Sequence, residues 1–440
     1  MNLPLNNFDT TFEGFLQELP EDYRELAIEC KAFCRSRKIK TPDQLMRVVL
    51  CYCGVDQVLR ETAGNFTLLE ERISDTAIHR RLKACGPWVK AMLSRMMGAA
   101  APIEGHLRFI IMDGSTVQGP GAKGTWYRLH VAIDRVKLHL LHVSVTDAHE
   151  AERLGHYPLQ EGDVVVGDRG YNQARQWIEQ ADRGVGLVVR CNPQGLNLYD
   201  VAGQKMAVHE ALNETTATER CLPVRVRAKL EFVEGSLHAR RLPPAQAAEA
   251  RRRARARAKK DGRQIRPRTL ALAEWVLIFT TLPPTVLPVA AVMALYRVRW
   301  QVELVIKRLK SILNIDQLRA RKDGLLAGLY LHGKLLYAWV LEKRARQRSG
   351  EHWNRLDRPR RATPWRVWHL LNRELALAIS GARQWNPSRW AASLEVMQER
   401  PRRRQLQTLP DRVNRLIATA KRGGSVIPES ERLSWRFWGS

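Results

Sequence analysis

Four reactive side chains follow one another at helical spacing: Tyr296, Arg299, Glu303 and Lys310. At about 100° per residue, the spacing Tyr-x2-Arg-x3-Glu-x6-Lys puts them within an arc of about 60° on one helix predicted over residues 293–313. The carboxylate can bind a hard cation, and the guanidinium and ammonium groups can bind phosphate oxygens. The pattern also fits a solvated amphipathic helix with ordinary ion pairs, and the motif alone does not separate these interpretations.

Two more acids follow apolar runs that are typical of buried strands. Leu107 to Met112 precedes Asp113, which we predict near the tip of its strand, and residues 164–166 precede Asp168 in the same way. One strand-terminal aspartate often does no more than open a turn. Two such strands and an acid-bearing helix, however, supply the parts of a carboxylate triad that binds two divalent cations.

These motifs resemble the DDE transposases of bacterial insertion sequences, in the cut-and-paste branch marked by the Tyr-Arg-Glu-Lys pattern. The resemblance is carried by Asp113, by Asp168-Arg169-Gly170-Tyr171 and by the helical signature, and it extends from about residue 41 to about residue 343. It implies a ribonuclease-H-like core that binds terminal inverted repeats and cleaves DNA at transposon ends, through a hairpin on the transposon end. The freed 3′-hydroxyl is then joined to target DNA.

The resemblance also implies roles for individual residues. Asp113, Asp168 and Glu303 are expected to be catalytic and to bind Mg²⁺, for which Mn²⁺ would substitute, with Asp113 bridging both ions. Trp300 either packs in the core or stacks on a displaced base, and packing is favoured because tryptophan normally serves cores. The side chains expected to contact DNA are those of Tyr296, Arg299, Lys310, Arg169 and Trp300.

The composition favours a polyanionic partner. The chain of 440 residues has 72 Lys and Arg against 45 Asp and Glu, a formal charge of +27. Double-stranded DNA, as transposon ends and as target, is the expected partner. A membrane is not expected, since the N terminus lacks a basic signal-peptide region and the longest apolar stretch, Leu325 to Leu341, contains His332 and Lys334. We expect a core helix there and a cytoplasmic protein that associates with the bacterial nucleoid when bound.

We predict a mixed α/β fold, with a ribonuclease-H-like core interrupted by a mostly β insertion and flanked by helical regions. Residues 1–104 form a helical, helix-turn-helix-like module that binds DNA ends, although a bundle that contributes only stability also fits. Residues 105–192 and 285–345 form the catalytic core. Residues 193–284 form the β-rich insertion with a basic helix, and residues 346–440 form a basic helical region suited to dimerisation in a paired-end complex.

Three local expectations follow from composition and spacing. A helix begins at Thr41-Pro42, with a capping residue followed by proline. A short helical segment covers residues 148–154. A third helix, Ala245 to Lys260, opens a segment with ten basic residues between Arg251 and Arg268. A charge run is usually a solvated face, but within a DNA-handling insertion we favour sequence-independent phosphate contact.

Two other functions fit the same sequence. A catalytically silent DNA-binding repressor would need only the N-terminal module and the basic surfaces. A metal-dependent nuclease would hydrolyse DNA without strand transfer. The repressor has no chemical need for all four residues of the helical signature, and strand transfer is the activity that separates a transposase from the nuclease.

Overall fold

The structure, a computed structural model, falls into two compact units, each assembled from segments that are distant in sequence. The first unit combines residues 1–100, 113–151 and 301–403, and the second combines residues 101–112, 152–300 and 404–440. The described residues are 11–98, 106–122, 124–213, 217–349, 363–381, 413, 415 and 417. Most of the predicted dimerisation region, 346–440, lies outside them.

The first unit is mainly helical. Its helices are α1 (Phe12–Leu16), α2 (Tyr23–Glu29), α3 (Pro42–Cys53), α4 (Leu59–Leu69), α5 (Asp75–Leu82), α6 (Gly86–Met96), α12 (Trp300–Leu313, from its second residue), α13 (Leu325–Ser349) and α14 (Pro364–Ile379). Helix α3 begins as predicted, because the Thr41 hydroxyl accepts a hydrogen bond from the amide of Gln44 at 3.1 Å and Pro42 follows it. The unit also contains the antiparallel hairpin of β2 (Thr125–Asp134) and β3 (Leu140–Asp147).

Helix α13 is the central helix of this unit and confirms the core helix predicted from Leu325 to Leu341. It packs against α3, α6, α14 and β3. The approach to α3 is close at Gly333, where an added Cβ would lie 2.6 Å from the Cys53 sulfur. Only glycine permits the two helix backbones to come this near. No described helix is both long enough and apolar enough to cross a lipid bilayer.

The second unit is organised around a sheet with helices packed against it. Its strands are the first part of β1 (Arg108–Gln118), β4 (Asp163–Gly167), β5 (Gly186–Arg190), β6 (Asn197–Tyr199), β7 (Glu219–Ala228), β8 (Glu231–Arg241) and β9 (Trp275–Thr280). Its helices are α7 (Ala174–Ala181), α8 (Val208–Asn213), α9 (Pro244–Lys260), α10 (Pro267–Ala273) and α11 (Val289–Val298). Helix α7 packs on β5, β7 and β8, with the Trp177 ring stacked 4.7 Å from that of Phe279.

The strands follow the order β3-β2-β1-β4-β5-β9-β8-β7-β6. Strands β1, β4 and β5 are parallel, whereas β9, β8, β7 and β6 continue the sheet with antiparallel pairing. The prediction of a mixed α/β fold is therefore confirmed. The strands of the interval 193–284 extend this sheet rather than forming one of their own.

The helical segment predicted over residues 148–154 is wrong. Residues 148–153 form no helix, and a single 3-10 turn, Leu154–His156, follows them. The backbone groups of this segment bond elsewhere: the Leu154 amide donates to the side chain of Gln176 at 2.7 Å, and the Glu152 carbonyl accepts from that of Gln173 at 3.2 Å. These contacts from the α7 segment replace the local hydrogen bonds that a helix would need.

Candidate active site

Strand β1 carries Asp113, the first acid of the predicted triad. Parallel pairing with β4 aligns Arg108 with Asp163 and continues to Ile111 and Val166. The Arg108 guanidinium fixes this register with two hydrogen bonds to the buried Asp163 carboxylate, at 2.7 and 2.9 Å. The prediction that Asp113 lies near the strand tip is wrong, since β1 runs on to Gln118. What ends near Asp113 is the parallel pairing, whose last aligned residue in β1 is Ile111.

Asp168 follows β4 in a tightly held turn. Its Oδ1 accepts a hydrogen bond from the Gly170 amide at 2.7 Å. Two contacts fix the buried Tyr171 at the other end of the turn: its hydroxyl bonds to that of Tyr157 at 2.7 Å, and its carbonyl accepts from the Trp177 indole at 2.7 Å. Asp168 is two residues beyond Val166, and Asp113 is two residues beyond Ile111, so both acids have the same offset from one aligned pair.

Glu152, which the sequence did not single out, lies against the turn of Asp168. A Cβ added at Gly170 would collide with Oε2 of Glu152 and would lie 3.0 Å from Oδ1 of Asp168. A second carboxylate therefore lies against the turn that holds the first. No spacing pattern in the sequence marks Glu152, and only the folding of the loop onto this turn reveals it.

Arg169 lies in the same turn, and its surroundings shift the pKa of its guanidinium. Its side chain is exposed by surface area, yet desolvation by the surrounding protein lowers the pKa of the guanidinium, and the charge of Arg190 adds to that effect. Tyr296, Cys191 and Asp168 oppose the shift. Arg169 thus lies near two residues of the predicted site, Tyr296 and Asp168. The residue stays cationic at neutral pH, as a phosphate contact requires.

The single helix predicted over residues 293–313 is instead two helices, α11 and α12. The amide of Arg299 bonds to the Tyr296 carbonyl, three residues back, at 3.1 Å, so the α-helical hydrogen-bond pattern is interrupted there. Tyr296 is buried, and the Arg299 guanidinium lies 5.7 Å from the centre of its ring. Trp300, the first residue of α12, is half-buried. Because of the break, the common face of the four signature residues stays a prediction.

Helix α12 carries Glu303 in its first turn and Lys310 in its last turn. The Lys310 ammonium lies 3.9 Å from a carboxylate oxygen of Asp316, a long and partly exposed ion pair. An apolar face anchors the helix in the first unit through the buried residues Val302, Val305, Ile306, Leu309, Ile312 and Leu313. Glu303 and Lys310 are half-buried, so both side chains retain access to solvent.

A buried ammonium group holds the C-terminal end of α12. Lys334 of α13, 1% exposed, donates a hydrogen bond to the Leu313 carbonyl at 2.5 Å and pairs with Asp56 at 3.2 Å. Asp56 has a φ of +69° and also accepts from the Tyr330 hydroxyl at 2.6 Å and from Asn314 at 3.3 Å. Burial lowers the pKa of Lys334, and the charge of Asp56 opposes that shift. This Asp56–Lys334 cluster therefore connects the helix of Glu303 to the segment after α3.

The fit of the site to a metal can be judged by ligand type and by grouping. Carboxylate oxygens, which Asp113, Asp168 and Glu303 all supply, are the ligands that Mg²⁺ and Mn²⁺ prefer. Within the described part of the chain, no three His, Cys, Asp or Glu side chains are grouped closely enough to hold a metal ion. The ligand type of the three acids therefore fits a hard divalent cation, whereas the described residues form no three-ligand cluster for one.

Comparison with known proteins identifies the family. The family model described as the transposase DDE domain matches residues 104–329, more than half of the 440 residues. The chain belongs to the DDE transposase family. The matched segment includes Asp113, Asp168 and Glu303. Membership confirms the resemblance to transposases of bacterial insertion sequences, and it implies a DNA-transposing enzyme that depends on divalent metal ions.

Two relatives of this DDE transposase are from Escherichia coli. The transposase InsL for insertion sequence element IS186A, of strain K12, is 28% identical over 335 residues, which cover 73% of this chain and 90% of the relative. The transposase for insertion sequence element IS421 is 28% identical over 336 residues, with the same coverage. Among solved structures, a piggyBac transposase synaptic complex with hairpin DNA aligns at a TM-score of 0.40 and 10% identity, over 99% of this chain and 87% of that one.

Proposed function

We propose that this DDE transposase mobilises an insertion sequence by cut-and-paste transposition, with Asp113, Asp168 and Glu303 as its catalytic carboxylates. The observation that carries the proposal is the equal offset of Asp113 and Asp168 from the aligned pair of Ile111 and Val166. Ligands of open α/β sheets bind beyond the carboxyl ends of the parallel strands, which supports a functional role for each acid. The half-buried position of Glu303, on a helix anchored by its apolar face, supports its role as the third ligand.

The reaction we propose combines hydrolysis and transesterification at one site. Water attacks a phosphodiester at the transposon end and releases a 3′-hydroxyl, which then attacks a phosphodiester of the target DNA and displaces a 3′-oxygen there. Bound Mg²⁺, or Mn²⁺ in its place, would supply Lewis-acid stabilisation of the attacking and leaving oxygens. Between cleavage and joining, the 3′-hydroxyl would attack the opposite strand at the transposon end, displace the 3′-oxygen of the flanking DNA and form a hairpin. A second water would then open the hairpin and restore the 3′-hydroxyl.

Basic residues around the carboxylates would hold the DNA. Arg299 and Lys310 would bind phosphate oxygens, and Arg169 would contact the same strand beside Asp168. The buried Tyr296 would contribute through its hydroxyl and by supporting Arg299, whose guanidinium lies over its ring. Trp300 would pack in the protein, as its half-buried side chain allows, or stack on a displaced base.

The same proposal includes the organisation of the chain. Residues 105–192 and 285–345 would form a ribonuclease-H-like core, residues 1–104 would bind the terminal inverted repeats, and residues 193–284 would form the insertion. The region 346–440 would support a homodimer, because two transposon ends must be held together before they are joined. The protein would act in the bacterial cytoplasm, at the nucleoid.

Alanine substitution of the three acids tests this assignment. We expect Asp113→Ala, Asp168→Ala and Glu303→Ala each to abolish cleavage of DNA that carries the element's own ends, because each removes a cation ligand. Binding of those ends, measured by gel shift, should change less than about threefold, since the net charge of +27 remains nearly intact. Arg175→Ala, at an exposed position of α7, is the control and should cleave normally.

The outcomes separate the proposal from its alternatives. Normal cleavage in any of the three variants would remove that residue from the active site. Wild-type protein that binds the ends but never cleaves them would be a repressor. Cleavage without strand transfer, when precut ends and a target plasmid are supplied, would identify a nuclease.

A further inference from the structure

Helix α9 carries a run of basic residues that has no role in the proposed active site. Its 17 residues bury only Ala247. From Arg251 to Arg268 the chain has ten basic residues and a single acid, Asp261. Basic residues four positions apart, such as Arg251 with Arg255 and Arg255 with Lys259, repel each other and destabilise a helix. A helix needed only for structure or solubility would alternate acids with these cations.

The two sides of α9 differ. Alanines at four positions form a stripe that is buried or half-buried, and α9 packs against α10. Exposed cations cover the remaining arc of about 200°, as the rotation of about 100° per residue requires. The alanines are Ala247, Ala250, Ala254 and Ala258, and the exposed cations are Arg252, Arg253, Arg255, Arg257, Lys259 and Lys260.

The cations form two ridges, between which lie Ala256 and, two turns earlier in the helix, Glu249. One ridge holds Arg252, Arg255 and Lys259, and the other holds Arg253, Arg257 and Lys260. The exposed Ala256 lies between the ridges, and its methyl group cannot hydrogen-bond to a base edge. A helix about 10–12 Å across fits a DNA major groove about 12 Å wide, whose two phosphate backbones would then face the two ridges.

Some of these cations already form ion pairs within the protein. Arg252 and Arg253 hydrogen-bond to the Glu249 carboxylate at 2.7–2.9 Å, and Arg251 pairs with Glu274 at 2.5 Å. Four exposed cations nearer the C-terminal end have no acidic partner among the residues that the structure describes: Arg255, Arg257, Lys259 and Lys260.

We propose that the exposed face of α9 binds the phosphate backbone of duplex DNA without reading its sequence. The inference rests on the proposed function in that DNA is the substrate, but it assigns a separate surface to DNA of any sequence, such as target or flanking DNA. Phosphate contacts give affinity and release counterions, whereas specificity requires polar contacts to base edges, which Ala256 cannot make.

The test is a fourfold variant: Arg255→Gln, Arg257→Gln, Lys259→Gln and Lys260→Gln. Glutamine preserves helix propensity while removing the four charges. The full-length protein is titrated with a random-sequence duplex and with a duplex carrying the element's ends, over a series of salt concentrations. The slope of log K against log salt should become shallower by about 3.5, and both duplexes should lose affinity by the same factor.

A matched control removes the same total charge elsewhere. It combines four substitutions of exposed basic residues outside α9: Lys137→Gln, Arg153→Gln, Arg175→Gln and Lys229→Gln. Its slope should stay near that of the wild type. An equal loss in the control would show that net charge, not α9, is responsible, and would overturn the proposal.

Three other results would also overturn it: an unchanged slope in the α9 variant, a loss confined to the element's ends, or binding to phosphatidylserine vesicles that depends equally on the four residues. The last would indicate a membrane surface. Because the measurement is equilibrium binding, it stands apart from catalysis. Failure of the wild type to cleave ends would refute the proposed function alone, and an unchanged slope with normal cleavage would refute the α9 surface alone.

Discussion

At the scale of single residues, the turn Asp168-Arg169-Gly170-Tyr171 depends on the absence of a side chain at Gly170. The space that a Cβ would occupy is taken by the carboxylate of Glu152. Because that carboxylate ends a flexible side chain, an alanine at Gly170 would displace it rather than disrupt the fold. Glu152 is therefore a positioning residue for Asp168 in our interpretation, and this role can be measured.

We predict that Gly170→Ala and Glu152→Ala each lower the rate of end cleavage by about tenfold, or about 1.4 kcal/mol. The free energy of unfolding should change by no more than about 0.5 kcal/mol for Gly170→Ala. Since both substitutions remove the same carboxylate from the turn, the double variant should be no slower than either single variant. Rate losses that multiply in the double variant would contradict this role of Glu152.

At the scale of elements, the Asp56–Lys334 cluster explains how α12 is held. Lys334 satisfies the Leu313 carbonyl near the end of that helix, where a positive charge also complements the helix dipole. Without the ammonium, the Leu313 carbonyl would lose its donor and the Asp56 carboxylate would lose a buried cation. The contacts of Tyr330 and Asn314 with Asp56 would remain.

We predict that Lys334→Met destabilises the protein by about 3 kcal/mol, the usual cost of breaking a buried ion pair. The matched control is Lys343→Met, in the same helix, because Lys343 is more exposed and pairs with Glu18 at 2.7 Å. That substitution should cost less than about 1 kcal/mol. Urea unfolding measures both, and equal losses would mean that the buried pair contributes no more than the surface pair.

At the scale of the whole molecule, affinity for DNA and catalysis have different physical origins. The formal charge of +27 acts on any polyanion and needs no metal. In the mechanism we propose, phosphodiester cleavage in contrast needs cations between the carboxylates and the negatively charged substrate. Affinity for DNA and catalysis should therefore separate when divalent ions are removed.

We predict that EDTA abolishes end cleavage while DNA affinity at constant ionic strength changes less than about threefold. Adding Mg²⁺ or Mn²⁺ in excess of the chelator should restore cleavage, whereas Ca²⁺ should not substitute well because it tolerates looser coordination. Cleavage that continues in a metal-free buffer would contradict a carboxylate-bound cation. The assay compares cleaved product and gel shift on the same duplex.

Local sequence signals were sufficient to predict several helices. Thr41 and Pro42 specify the start of α3 through hydrogen bonding and a fixed φ within one turn. The helix predicted from Ala245 to Lys260 is α9, which spans Pro244–Lys260, because alanine and arginine have high helix propensities. The helix predicted at residues 148–154 failed, because contacts from the α7 segment, which is distant in sequence, took over its hydrogen-bonding groups.

The amino-acid sequence by itself determined the family, the expectation of a polyanionic partner and the identity of three candidate acids, since side-chain chemistry and spacing are local properties. Only the tertiary structure decided the strand register that gives Asp113 and Asp168 equal offsets, the contact of Glu152 with Gly170, and the burial of Lys334 beside Asp56. These features join residues far apart along the chain. Their partners are chosen by packing and hydrogen bonding in the folded chain, which no local pattern encodes.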